Sequence, residues 1–367
     1  MEPVKCGIVG CGNICDIYFK AGKRFESIEI VACADLIKDR AKAKAREHGI
    51  AKALPVETLI ADPDVEIVIN LTVPSAHGEI ALAALEAGKS IYNEKPIAID
   101  RDQAARILAL AEEKKLRVGC APDTFLGAAI QTCRKVIDDG WIGEPVAATA
   151  FMMGHGHEHW HPNPEFFYQP GGGPMFDMGP YYLTALCALI GPVRRVGAST
   201  RISFPERLIT SQPYRGARVK VTTPTHLAGI VDFHNRAIGT IIMSFDVWGH
   251  HLPHIEIHGT EGSMSVPDPN CFGGSVMVKR GHDGEWKEMP HTHGYADNSR
   301  GLGVADMACS LRSGRAHRAN GELASHVLDI MHCFNESSTS GRHVETLRPC
   351  PRPEPLPLGL PDGKLDP

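Results

Sequence analysis

Val4-Lys5-Cys6-Gly7-Ile8-Val9 is an apolar run that ends directly in Gly10-Cys11-Gly12-Asn13-Ile14-Cys15, after which Asp16 to Arg24 carries a helical pattern. A buried strand that turns through glycines into a helix opens a βαβ unit, and it commits the next strands of the chain to a parallel sheet. Gly10 suits the tight turn, and Gly12 lets the backbone approach a pyrophosphate. The helix start, with Asn13 and Ile14 in it, offers free N–H groups and a partial positive charge. Cys15 stands where the dinucleotide fingerprint has Gly or Ala, and is small enough for close helix–strand packing.

The alternation continues. Ile28 to Ala34 reads as a second strand and ends at Asp35, 23 residues after Gly12, where a carboxylate binds the hydroxyls of an adenosine ribose. Leu36 follows, so nothing immediately beside Asp35 cradles a 2′-phosphate, and NAD is expected ahead of NADP, with Lys38 and Arg40 as the nearby cations. Arg40 to His48 reads as a helix stopped by Gly49. Val65 to Leu71 is a β-branched run typical of a strand covered on both faces. It ends in Thr72-Val73-Pro74-Ser75-Ala76-His77, and Ser75 is placed to cap a helix over 76–87. Ser90-Ile91-Tyr92-Asn93 is the next strand and runs into Glu94-Lys95-Pro96. Lys95 therefore sits at a strand's C-terminal end, the side of an open α/β sheet where ligands bind, and Pro96 biases it toward extended backbone. Asp100 and Gln103 form a capping-box variant for the following helix, and Leu116 to Cys120 is a further strand. The fold expected is α/β: an N-terminal doubly wound Rossmann sheet over 1–121.

A chain of 367 residues exceeds one core of typical size, so a second domain is expected, over 122–345. From Val193 onward the strands alternate apolar and polar residues, as in a mostly antiparallel open sheet packed on helices by one face. Helices are expected over 303–312 and 322–337. The tail, 346–367, is proline-rich, with seven prolines from Pro349 on, and is expected as an extended arm along the surface or a neighbour. A net charge of −5 with dispersed Lys and Arg argues against nucleic acid or an anionic membrane as partner. Strand-like sequence from Val4 leaves no room for a signal peptide, and no apolar run approaches a membrane helix in length. Eleven cysteines without a Cys-x-x-Cys fit a reduced, cytoplasmic protein with free thiols.

Gly10-x-Gly12, Asp35, Thr72-Val73-Pro74-x-x-His77 and Glu94-Lys95-Pro96, in this order and spacing, resemble the Gfo/Idh/MocA family of NAD(P)-dependent sugar and inositol oxidoreductases. The likeness extends through Ile137 to Pro145, Gly171-Gly172-Gly173-Pro174-Met175-Phe176-Asp177-Met178-Gly179-Pro180-Tyr181 and His258-Gly259-Thr260-Glu261-Gly262, covering about residues 4–345. The resemblance implies that Thr72, Pro74, His77 and Glu94 join the cofactor site. It implies that Lys95 lies beside the nicotinamide and the substrate hydroxyl, and that Asp123 faces the same cleft. It also implies pairing of the open sheet with a second subunit, hence a homodimer or homotetramer. The departure is Tyr181, which stands where family dehydrogenases carry a catalytic His. Asp177 and Tyr181 are spaced i, i+4, on one face of a helix. A Tyr relays a proton if a nearby Lys stabilises its phenolate, a role open to Lys95; alternatively Tyr181 is only a wall of the pocket.

In His155-Gly156-His157-Glu158-His159-Trp160-His161 four histidines alternate and on an extended segment share one face. Imidazoles so placed suit zinc, but the Gly- and Pro-flanked segment lacks a rigid supporting shell, so no metal is expected. By resemblance the stretch lies over the substrate pocket, where His157, His159, Trp160 and His161 suit recognition of a sugar. The function expected is NAD-dependent transfer of a hydride from a secondary hydroxyl of a sugar, glycoside or cyclitol, with Lys95, Asp177 and Tyr181 as catalytic groups. Two alternatives stand beside it: NAD-assisted glycoside cleavage through transient oxidation at C3 and elimination, and a non-catalytic NAD-binding regulator.

Overall fold

The computed structural model describes residues 2–282 and 284–367. The chain forms two compact units, one of Met1–Gln131, Thr292–Leu328 and Pro353–Pro367, the other of Thr132–His291 and Asp329–Arg352. Both are discontinuous in sequence, unlike the linear division read from composition.

In the first unit the elements run β1 (Val4–Val9), α1 (Cys15–Arg24), β2 (Ile28–Ala34), α2 (Lys38–His48), β3 (Lys52–Leu54), α3 (Val56–Ala61), β4 (Ile67–Asn70), α4 (His77–Glu86), β5 (Ser90–Asn93), α5 (Arg101–Lys114) and β6 (Val118–Cys120). The six strands are parallel, in the order β3-β2-β1-β4-β5-β6. The order reverses between β1 and β4, which opens a crevice at their C-terminal ends. The apolar runs are what place these strands centrally. Val4, Cys6, Ile8, Ile67, Val68 and Ile69 are fully buried, and each large aliphatic side chain so buried stabilises the sheet by roughly 1.5–3 kcal/mol. Helix ends follow local chemistry. Asp100 caps α5 by accepting from the Gln103 N–H at 2.7 Å, and Gly49 ends α2 in the left-handed region (φ 75°). Ser75 does not cap α4. Pro74–Ala76 first form a 3₁₀ turn, closed by the Ala76 N–H on the Val73 carbonyl, so the helix starts at His77.

The second unit is entered along α6 (Ala128–Asp138). It comprises β7 (Pro145–Met153), α7 (Gly173–Asp177), α8 (Gly179–Leu189), β8 (Val193–Arg201), β9 (Glu206–Leu208), β10 (Arg218–Lys220), β11 (His226–Phe233), β12 (Ile238–Ser244), β13 (Ile255–Gly259), β14 (Gly262–Val266), β15 (Val276–Arg280) and β16 (Lys287–Met289). The chain returns to the first unit with α9 (Leu302–Ser313). Helix α10 (Gly321–Ser340) then leads back to β17 (Val344–Glu345). Nine strands form one mixed sheet, β16-β15-β14-β13-β7-β12-β11-β8-β17, antiparallel throughout except for the parallel pair β7–β12. Every residue of α8 is buried. Serines on α10 accept the β8 amides of Ala198 and Thr200, both at 2.9 Å.

The tail from Pro353 forms no helix or strand, yet it is fixed to the first unit. Leu356 is buried, the Glu26 N–H donates to the Gly363 carbonyl, the Tyr295 hydroxyl donates to the Lys364 carbonyl at 2.6 Å, and Arg318 pairs with Asp366 at 2.8 Å. Among the described residues no helix is long and apolar enough to cross a membrane.

Candidate active site

The β1–α1 turn has room for a dinucleotide and a reason for each glycine. Gly10 has φ 102°, and a Cβ there would stand 2.7 Å from the Leu71 carbonyl group, so only glycine fits where β1 and β4 part. A Cβ on Gly12 would meet nothing within 4 Å. The turn beside it is open, and Gly12, Asn13 and Ile14 are all exposed. No side chain caps α1 at Ile14; the Cys15 N–H turns back to the Gly12 carbonyl at 3.3 Å, and the uncapped helix start beside it suits an anion. Asp35, at the end of β2, holds this turn: its carboxylate accepts the Cys11 N–H and the Ile37 N–H, both at 2.8 Å. A carboxylate oxygen has two acceptor directions, so each retains one for a ribose hydroxyl.

The end of β4 is fixed from inside. Asn70 is buried, donates to the Asn93 side chain at 3.0 Å, and accepts the Thr72 hydroxyl at 2.7 Å. Thr72 and Pro74 remain partly exposed at the crevice edge. His77 is 1% exposed, with its ring nitrogens 3.0 Å from the Thr72 carbonyl and 2.6 Å from the Pro96 carbonyl. Burial pushes this imidazole below its ordinary pKa, against those two carbonyls. His77 thus ties the β4 loop to the Glu94-Lys95-Pro96 turn, and its action on a cofactor runs through the loop it holds. Glu94 is a second tie. It accepts the buried Tyr18 hydroxyl of α1 at 2.8 Å on one oxygen and the Lys95 N–H at 3.0 Å on the other. Lys95 itself is half-buried at the C-terminal end of β5.

Asp123 lies 1% exposed in the first unit, where its Oδ2 accepts the Gly301 and Gly303 N–H groups at 2.8 and 3.0 Å and so caps α9. The sequence reading has Asp123 facing the substrate cleft; in the fold one of its oxygens is taken by these two backbone amides. Burial raises its pKa to about 6, with the two amides and Arg300 pulling the other way. A carboxyl raised in the folded state binds protons that the unfolded chain, near 3.8, does not. Stability is then greatest below pH 4 and falls as pH rises from 4 to 6, by up to about 3 kcal/mol. Asp123→Asn keeps an oxygen for both amides and removes the titration. In urea unfolding at pH 4 to 7, wild type is expected to lose stability relative to the variant across that window; parallel curves would refute this.

In the second unit Asp177 ends α7 and Tyr181, 9% exposed, lies in the first turn of α8. The two are not on one continuous helix. Pro180 has no N–H for the Phe176 carbonyl, and the helix breaks at Met178. Asp177 lies beside His157, whose Nε2 is 3.2 Å from Asp177 Oδ2. The histidine run is not extended. The Trp160 and His161 N–H groups both donate to the His157 carbonyl, which closes a turn in place of one extended face. His155 stacks on Trp248 at 3.3 Å and His157 packs on Phe167 at 3.9 Å. His159 is exposed, as is Trp160 at 58%. Burial lowers the pKa of His155 and His161. Among the described residues the three-donor cluster close enough for a metal lies elsewhere, at Asp16, Glu47 and His48, where Lys44 already bridges Asp16 and Glu47.

Sequence reading missed what anchors this loop. Glu158 accepts the Tyr168 hydroxyl on one oxygen and Arg207 Nη1 at 2.9 Å on the other. Arg207 also donates to the Phe245 carbonyl at 2.8 Å and to Asp246, which accepts the Thr225 hydroxyl at 2.7 Å. The only visible signal was a lone acid inside the histidine run.

Residues 4–121 match the model of an oxidoreductase family with an NAD-binding Rossmann fold, and residues 130–265 match that of a GFO/IDH/MocA C-terminal domain. A 1,5-anhydro-D-fructose reductase of Ensifer adhaerens is 28% identical over 281 residues, 75% of this chain and 77% of the relative. A scyllo-inositol 2-dehydrogenase (NAD(+)) of Bacillus subtilis (strain 168) is 27% identical over 276 residues, 72% and 74% of the two chains. The crystal structure of an NAD binding oxidoreductase from Klebsiella pneumoniae has the same fold, with a TM-score of 0.84 at 22% identity over 95% of this chain and 100% of that one.

Proposed function

The chain belongs to the Gfo/Idh/MocA family of NAD-binding oxidoreductases, and on that premise we propose that it transfers a hydride between nicotinamide and a secondary hydroxyl of a sugar, glycoside or cyclitol. The names of the relatives, a sugar reductase and an inositol dehydrogenase, support the substrate class. The observation that carries the reading lies within the first unit: Lys95, braced by Glu94, stands at the C-terminal edge of the same parallel sheet as the open Gly12 turn and Asp35.

The residues present fit a dinucleotide. The first N–H groups of α1 would hold its pyrophosphate and Asp35 its ribose. NAD is favoured over NADP because Asp35 repels a 2′-phosphate and its neighbour Leu36, 93% exposed, offers it nothing. When bound, the cofactor supplies the carbon that takes up the hydride. In the first unit Lys95 is the group to accept the hydroxyl proton; in the second, Tyr181 is the candidate for proton transfer and Asp177 for orienting substrate hydroxyls. Trp160 offers an exposed aromatic face to ring C–H groups. Ile230 and Ile238, exposed at 39% and 53% on one face of β11 and β12, support a homodimer or homotetramer through the open sheet. The free, mostly buried thiols support a cytoplasmic setting.

Tyr181 in place of the family's histidine favours a second reading. Oxidation at C3 by NAD acidifies the C2 proton; its removal expels the aglycone, and addition of water and return of the hydride restore the sugar. A panel of sugars, cyclitols and chromogenic glycosides, assayed with NAD and with NADP, separates the readings. The proposal expects reduced NAD to accumulate in proportion to the alcohol oxidised. Aglycone release without accumulating NADH supports the second reading instead, and NAD binding with no turnover of any member makes the chain a regulator.

A further inference from the structure

The second unit spends a buried charge network on one short loop, and the loop delivers one imidazole. Arg207 is 4% exposed and Glu158 8%. Burying such groups is justified only by what they fix, because apolar packing would stabilise a core as well or better. Two routes lead from Arg207 to the His157 ring. Through Glu158 and Tyr168 it reaches the His157 backbone, whose N–H donates to the Tyr168 hydroxyl oxygen at 3.2 Å. Through the Phe245 carbonyl it fixes the residue whose ring meets the imidazole edge-on at 4.7 Å, with Phe167 as a second and closer wall. A loop with neither helix nor strand is thereby given a fixed ring position.

The environment also selects the tautomer. Nδ1 of His157 is buried and has no hydrogen-bond partner among the described residues, whereas Nε2 lies 3.2 Å from Asp177 Oδ2. A proton on Nδ1 would be an unpaired buried donor, and would turn the Nε2 lone pair toward a carboxylate. The neutral ring therefore carries its proton on Nε2 and donates it to Asp177.

We propose that His157 is the positioning residue of Asp177, holding that carboxylate in the one rotamer that presents it to substrate, with Glu158, Tyr168, Arg207 and Asp246 as the brace that holds His157. The proposal rests on Asp177 being the substrate-orienting carboxylate of the function above. It places an imidazole at this carboxylate from a loop, in a chain whose α8 carries Tyr181 where the family has histidine.

His157→Leu removes the donor and His157→Gln restores one near the reach of Nε2; both are made in the full chain. At saturating NAD, His157→Leu is expected to lower kcat/KM for the sugar by roughly 10- to 100-fold, through a misplaced binding group. Dinucleotide affinity and thermal midpoint are expected to hold, and His157→Gln to recover most of the loss. Equal losses in both variants, accompanied by lower thermal midpoints, would mean a purely structural loop and overturn the proposal. A ¹⁵N spectrum of histidine-labelled protein, with His157 assigned from the His157→Gln spectrum, gives a readout independent of turnover. The Nε2–H tautomer, with its signal moved by Asp177→Asn, supports the pair even if no panel sugar reacts and the functional reading fails. An Nδ1–H tautomer, or a signal indifferent to Asp177→Asn, overturns it.

Discussion

Lys95→Met is expected to lower turnover of the sugar substrate by about 10²- to 10⁴-fold, the range for removal of a general acid–base group, and to leave dinucleotide binding unchanged. The geometry gives both halves of this result. The Lys95 backbone N–H makes a bond to Glu94 at 3.0 Å, and the other Glu94 oxygen is held by Tyr18 at 2.8 Å. Neither bond uses the ammonium group, so both remain open to the variant. The groups assigned to pyrophosphate and ribose, the α1 N–H groups and Asp35, lie on other elements and do not contact Lys95 in making their bonds. Methionine keeps most of the apolar stem, so packing is little changed. Steady-state rates at saturating sugar, beside a fluorescence titration with NADH, measure the two quantities separately. A variant that keeps more than about a tenth of wild-type kcat would remove Lys95 from proton transfer, since a tenfold change is only about 1.4 kcal/mol of barrier. A variant that loses NADH affinity in step with rate would make it a binding residue instead.

What made Lys95 legible in the sequence was its place at the end of an apolar strand, because hydrophobic period and glycine turns are local signals. The same signals fixed β2 over Ile28–Ala34, the Asp100 cap and the Gly49 stop. Features set by distant partners were not legible. Asp123 looks like a cleft acid until Gly301 and Gly303, 178 and 180 residues away, are seen to take its oxygen. The alternating histidines look like one face of a strand until the His157 carbonyl accepts two amides from its own loop. The proline-rich tail reads as an extended arm along a surface, but the pairing of Arg318 with Asp366 that fixes it is not in the pattern. For Asp123 and the tail a long-range hydrogen bond or ion pair, and for the histidine run a pair of turn bonds within the loop, decides between arrangements that periodicity and local preference leave open. Tyr18 is a milder example: its place in α1 was readable, its grip on Glu94 76 residues on was not.

The largest stability effect is expected at Arg207, which no pattern in the sequence marks. Its guanidinium is 4% exposed and lies between two carboxylates, with Glu158 Oε1 at 2.9 Å and Asp246 on the other side. Its guanidinium carbon also lies over Phe204, 4.8 Å from the ring centroid, and over Tyr168, at 5.5 Å. Arg207→Met fills much of that volume but leaves both carboxylates and the Phe245 carbonyl without their donor. Removing one partner of a buried ionic group typically costs about 3–5 kcal/mol, most of it the penalty of the charge left behind. Urea unfolding is expected to show a loss of that size, and Arg207→Lys a smaller one, because an ammonium restores the charge but not the fork that serves both acids. Tyr168 gives Glu158 only partial relief. Burial drives the phenol's pKa well up, so it stays a neutral donor and cancels no charge. The charge argument has its own check in the double variant Glu158→Gln with Arg207→Met. If uncompensated charge is the cost, the double variant is more stable than Arg207→Met alone; if lost packing is the cost, the second change adds to the damage. A single Arg207→Met variant within about 1 kcal/mol of wild type would mean that the carboxylates find water or another donor. The loop they hold would then not depend on the brace.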